Sequence, residues 1–148
     1  MDELYHYKAK VRRVVDGDTI IVDIDVGFGL THSGPKKKGV NLRLKGYNSP
    51  ETRGIEKEFG KMAKAHLQKL IPKNSTIMIR TYDVDSFGRW LVDVYLSTEG
   101  TSYDGTTFPH RGYYNLVKHL VKEGWGVIWN GKGDRPSFNM NENYPLRR

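Results

Sequence analysis

The chain has 148 residues, of which 37% are hydrophobic and 28% charged, a mix expected of one globular domain with a single core rather than of a disordered chain. Its formal net charge of +7 favours a polyanionic partner such as nucleic acid, because basic side chains displace counterions condensed on phosphates. It contains no cysteine, which excludes disulfides, thiolate nucleophiles and cysteine-based zinc sites.

The opening MDELYHYKAK has early acidic residues and no apolar run, so it does not read as a secretory signal. No stretch approaches a membrane span. The expectation is an intracellular, cytoplasmic monomer with no membrane partner.

Residues 8–26 read as a β-hairpin turning at Asp16-Gly17, a dipeptide suited to tight turns. After the turn, Ile20, Val22, Ile24 and Val26 alternate with Ile21, Asp23 and Asp25, giving one apolar and one mostly polar face. Residues 27–39 (GFGLTHSGPKKKG) are rich in Gly, Pro and Lys and read as a loop. A third strand is expected from Val40 to about Tyr47, with Leu42 and Leu44 on one side.

Residues 54–71 predict an amphipathic helix. Ile55, Phe59, Met62, His66, Leu67 and Leu70 form its stripe, Lys57, Lys61 and Lys64 its solvated side, and Pro72 its stop. Strands follow at about 76–83 and 90–96, joined through Ser86, Phe87 and Gly88. A polar loop over 97–112 precedes a short helix near 113–123, capped by Gly124. Val127 to Trp129 predicts a short strand, and residues 130–148 an extended polar tail behind a core at about 8–129. Five strands with a helix between the third and fourth suggest a mainly β, α+β fold: a Greek-key barrel of the OB type with a shorter C-terminal helix. The alternative is an open α+β sheet with both helices on one face.

Setting Val26 opposite Val40 across the 27–39 loop pairs Asp18 with Asn48 and Asp23 with Arg43, to within a residue or two. Asp16, Asp18, Asn48, the Ser49 carbonyl and Glu51 then gather at one rim. All are oxygen donors, a set suited to Ca2+ or Mg2+ and not to zinc or copper. Pro50 restrains Ser49 to extended backbone. Beside a carboxylate-bound cation, Arg43 and Arg89 could grip phosphate oxygens through their planar forks. Taken alone, Asp16-Gly17-Asp18 is no more than a turn, and either arginine no more than a solvated side chain.

The segments VVDGDTIIV, NLRLKGYNSPE, DSFGRWLVDVYL and GYYNLVKHLVKEGWGVIW occur in an order that resembles the staphylococcal nuclease (thermonuclease) family, from about Lys10 to Trp129. The resemblance implies an OB-fold barrel and a Ca2+-dependent endonuclease acting on DNA and RNA, with 3′-phosphate products. It implies that Asp18, Asn48 and the Ser49 carbonyl bind the metal. Glu51 would hold metal-associated water and act as general base, Arg43 and Arg89 would clamp the scissile phosphate, and Asp16 and Thr19 would support the site. Three features depart from the founding enzyme: Asn48 stands for an aspartate, Phe87 stands for a tyrosine, and the last long helix has no counterpart. Phe87 could still stack on nucleic acid, and Lys36, Lys37 and Lys38 could contact phosphate or simply keep the loop soluble.

Two rival readings remain at this level. A non-catalytic OB-fold could hold single strands by charge and by aromatics such as Phe28, Tyr47, Phe87 and Trp90. A scaffold domain could recruit other proteins. Glu51, Arg43 and Arg89 together favour the enzyme.

Overall fold

The computed structural model describes residues 4–98, 112–136 and 138. Strands β1 (His6–Asp16), β2 (Thr19–Gly27), β4 (Val40–Leu44), β6 (Thr76–Val84) and β7 (Trp90–Ser97) form a ring in the order β1-β6-β7-β4-β2, closed by pairing of β1 with β2. The β4–β7 contact is parallel and the other ring contacts are antiparallel. Closure removes the free edges that an open sheet would leave. Short strands decorate the ring: β3 (Leu30–His32) on β2, β8 (Tyr113–Asn115) on β7, and β5 (Tyr47–Asn48) paired with β9 (Val127–Ile128). With the two helices α1 (Lys57–Leu70) and α2 (Leu116–Lys122), this is the expected mostly β, α+β barrel of OB type.

Alternation places Val11, Ile20, Val22, Leu42, Leu44, Ile79, Val92 and Val94 inside the ring, all fully buried. Phe59, Ala63 and Leu67 of α1 and Leu116 and Leu120 of α2 join the same core. The Asn115 side chain caps α2 by accepting from the Lys118 amide at 3.2 Å. Among the described residues no helix is long and apolar enough to cross a membrane.

Several boundaries differ from the sequence expectation, each for a local reason. The 27–39 segment is not all loop, because Gly27, Phe28 and Gly29 adopt left-handed conformations and turn β3 back onto β2. That hairpin carries Val26 out to solvent, while Ile21, expected on the polar face, is buried. β4 stops at Leu44, and left-handed Gly46 redirects the chain into β5. Val40 pairs with Val22 rather than Val26, so the β2–β4 register lies four residues from the expected one. The shift is even, so every side chain keeps its face. Ile55 belongs to a 3-10 turn before α1 and is exposed, not part of the stripe. Residues 113–115 are strand rather than helix. Of the tail, residues 130–136 and 138 are described. They fold back on the barrel rim instead of extending away, held by contacts of Arg135 and Phe138.

Candidate functional site

The β1–β2 turn fixes the first wall. Asp16 Oδ1 accepts from the Asp18 amide at 3.1 Å, an Asx-type turn that projects both carboxylates at the same rim. The Asp18 carbonyl accepts from the Leu44 amide at 2.9 Å, which ties the turn to β4. Its carboxylate accepts from Thr19 Oγ1 at 2.9 Å and from the Ser49 amide at 3.2 Å. Burial, helped by the adjacent Asp18 carboxylate, pushes Asp16 up to about 7. Burial would raise Asp18 as well, but its bond to Asp16, the Arg43 charge, the Ser49 amide and the Thr19 hydroxyl together hold it below the ordinary carboxylate range.

The second wall runs from β5 into residues 49–51. Asn48 is buried, and its Nδ2 approaches the Pro136 carbonyl at 3.4 Å. Ser49 is buried beside Asp18, whereas the Glu51 side chain is 57% exposed to the cleft. The Glu51 amide donates to Glu56 Oε1 at 3.0 Å. Two glycines allow this wall to pack so closely. A Cβ at Gly60 of α1 would collide with the Glu51 carbonyl, and one at Gly126 with the Asn48 carbonyl.

Both expected arginines point into the cleft between the walls. Arg43 is largely covered, donates to the Tyr47 carbonyl at 3.1 Å, and sits 3.6 Å from Asp18 Oδ2. Arg89 is oriented by Asp85, whose Oδ2 accepts from Arg89 Nε at 2.8 Å. Asp85 Oδ1 also takes the amides of Phe87 and Arg89, and its backbone closes the turn with Gly88 at 3.1 Å. Arg89 Nη1 reaches Thr19 Oγ1 at 3.4 Å, linking it through that hydroxyl to Asp18. The Phe87 ring is 80% exposed, with the Arg89 guanidinium 5.1 Å from its centroid.

Asp16, Asp18, Arg43, Asn48, Ser49, Glu51, Phe87 and Arg89 line one cleft of about 760 Å³, and Thr19 backs it. Lys36, Lys37 and Lys38 are exposed and lie outside that lining, so the structure does not bring them to the other candidates. Tyr47, considered above as a stacking surface, is core instead. The cleft also contains Lys45, Asp85, Trp129, Lys132 and Arg135, which sequence reasoning did not select. Asp85 had a signal, because Asp and Gly three apart mark a type I turn. Arg135 had none: it donates to the Ser49 carbonyl and pairs with Glu51 and Glu56 from a segment without periodicity.

The donors that could hold a metal are the Asp18 carboxylate, the Asn48 amide oxygen and the Ser49 carbonyl, with Asp16 and Glu51 beside them. All are hard oxygen ligands, and the negative charge around Asp16 and Asp18 is of the kind a Ca2+- or Mg2+-type cation relieves. Among the described residues no three His, Cys, Asp or Glu side chains converge on a metal position by themselves. Chemically, the arrangement offers a half-exposed carboxylate, Glu51, in one cleft with the Arg43 and Arg89 guanidinium groups and the buried Asp18 carboxylate. Residues 41–143 match the family model described as staphylococcal nuclease homologue. A comparison with curated proteins gives no match.

Proposed function

The chain belongs to the staphylococcal nuclease homologue family, and on that premise we propose that it is a metal-dependent endonuclease. Its reaction would be hydrolysis of phosphodiester bonds in DNA and RNA, leaving 3′-phosphate ends. The observation that carries this reading is the presence of Arg43, Glu51 and Arg89 in the same cleft as Asp18, Asn48 and Ser49. A Ca2+-type cation on the Asp18, Asn48 and Ser49 oxygens would supply electrostatic stabilisation of the phosphate and a bound water.

Glu51 is the candidate general base. Its exposed carboxylate can accept the proton of the attacking water as the bond from phosphorus to the 5′-oxygen breaks. Arg43 and Arg89 neutralise charge on the phosphate oxygens, and it grows as displacement proceeds, so both act chiefly on the transition state. Asp85 and Thr19 hold Arg89 in that direction before substrate arrives. Lys45 and Lys132 at the cleft wall give the flanking phosphates positive partners.

Replacing Arg89 by Ala tests the assignment. DNA binding by Arg89→Ala, followed by fluorescence anisotropy, is expected to stay near that of the parent, and cleavage to slow at least ~100-fold, the scale of one lost electrostatic donor. Unchanged cleavage removes Arg89 from the mechanism. The second reading, a binding module that holds single strands without cutting, is favoured by the exposed Phe87 ring beside Arg89. Such a module has no use for a half-exposed Glu51 carboxylate in the same cleft as Arg43 and Arg89.

A further inference from the structure

Composition marks the segment after β9 as a plain polar tail, yet it carries a guanidinium into the second wall of the cleft. Arg135 Nη1 and Nη2 both donate to Glu56 Oε1 at 3.2 Å. Nη2 also donates to the Ser49 carbonyl at 2.9 Å, and Nε lies 3.1 Å from Glu51 Oε1. The Glu56 side chain is only 7% exposed. Its Oε1 accepts from the Glu51 amide at 3.0 Å and its Oε2 from the Phe138 amide at 3.2 Å. Polar atoms so far from water need hydrogen-bonding partners of this kind.

Residues 49–53 have no regular secondary structure. Without a strand or helix ladder through this segment, side-chain contacts add to the restraint of Pro50 in directing the Ser49 carbonyl and the Glu51 carboxylate. Arg135 and Glu56 together touch that segment at three points: the Ser49 carbonyl, the Glu51 amide and the Glu51 carboxylate.

We propose that Arg135 is a positioning residue of the site, anchored on Glu56, which aims the Ser49 carbonyl and the Glu51 carboxylate for cation binding and base catalysis. The segment around Arg135 is then a working part of the cleft. The kinetic consequence rests on the nuclease reading; the consequence for cation binding is read separately. The opposite role would be a plug that occupies the cation position and leaves when the ion arrives. Arg135 touches the Ser49 carbonyl and Glu51 of the candidate set, but two of its three side-chain nitrogens bond Glu56, which lies outside that set, and this anchoring favours positioning. Asp18, the buried carboxylate of that set, faces Arg43 instead.

The test uses the full chain with Arg135→Ala and Arg135→Lys. Ca2+ affinity is measured by calorimetry, thermal melting by circular dichroism, and kcat and KM on single-stranded DNA. Arg135→Ala is expected to bind Ca2+ and to turn over ~10–100-fold less well, the usual scale for losing a group that orients a metal ligand. KM for DNA should change much less than kcat. Arg135→Lys should recover part of both losses, as should guanidinium ion added to Arg135→Ala, and neither recovery is expected if the side chain serves folding alone. Unchanged Ca2+ affinity in Arg135→Ala overturns the proposal, and tighter binding replaces it with the plug. If the alanine variant fails to fold, Arg135→Lys decides: Ca2+ affinity and kcat equal to the parent's would overturn the proposal. A parent that binds Ca2+ without cleaving DNA defeats the nuclease reading, while the affinity comparison still decides the role of Arg135. A parent that binds no Ca2+ overturns both.

Discussion

Asp18 and Glu51 face the same cleft, yet the chain holds them by different means. Asp18 ends a hairpin, is 5% exposed, and is bonded through its own carbonyl to β4. Strand pairing fixes it, so it moves only if the barrel moves. Glu51 sits on irregular chain, fixed by Glu56, Arg135 and the close approach of Gly60. The difference separates stability from chemistry: the Asp18 wall should fail only with the fold, whereas the Glu51 wall can fail while the barrel stands.

The largest effect on the first wall comes from the core beneath it. Leu44 is fully buried in β4, and its amide holds the Asp18 carbonyl. Leu44→Ala should cost about 2–5 kcal/mol in urea unfolding, as large-to-small core changes do. A loss well below that range would mean that the barrel does not brace Asp18 as described.

Gly60→Ala probes the second wall. In an ordinary helix interior the change would stabilise by about 1 kcal/mol. Here the new methyl meets the Glu51 carbonyl, and the expected outcome is a loss of about 1–3 kcal/mol with a fall in cleavage out of proportion to it. Stability and cleavage both at the parent level would contradict the close approach.

Asn48→Asp sharpens the comparison by adding charge where the walls meet. With Ca2+ the variant should bind the ion about tenfold more tightly, since ligand charge count tunes such sites. Without Ca2+ it should melt lower, because a further carboxylate joins Asp16 and Asp18. Calorimetry and melting in chelator separate the two effects.

The smallest effect lies away from the cleft, at the contact of α1 with α2. His66 stacks on Trp125 with ring centroids 4.0 Å apart, and its Nε2 lies 3.4 Å from that of His119. Burial, then the His119 and Lys69 charges, lower His66 to about 4, against a weaker opposing pull from Glu123. His119 is lowered too, by burial first. Below the ordinary histidine value of 6.5 the unfolded chain gains a proton that folded His66 refuses until about pH 4. Stability from this site is therefore complete above pH 6.5 and is lost as pH falls toward 4. His66→Gln should flatten the fall in melting temperature across that window. An unchanged slope would remove His66 as its source.

Much of this was legible in the chain because it depends on period and local chemistry. Alternation in Ile20, Val22 and Ile24 and in Leu42 and Leu44 marks the strands, and Asp16-Gly17 marks the turn. The cleft residues Asp18, Arg43, Asn48, Ser49, Glu51, Phe87 and Arg89 come instead from an assumed strand register and from the resemblance to the staphylococcal nuclease family. The β2–β4 register was misjudged because nothing in Gly27-Phe28-Gly29 announces a left-handed phenylalanine, and the hairpin it makes takes the far end of β2. Ile55 fits the stripe by number, but the chain there is a 3-10 turn, whose period differs. Arg135 was illegible for a deeper reason: its partners Ser49 and Glu56 lie far back in the chain, and only tertiary packing joins them.

The most direct test of the account is a cleavage assay on single- and double-stranded DNA, with Ca2+, Mg2+ or chelator, and Glu51→Ala alongside. The account predicts cutting that requires the cation and collapses in the variant. Salt-sensitive binding without cutting, under every cation, would contradict it and leave a nucleic-acid-binding barrel in its place.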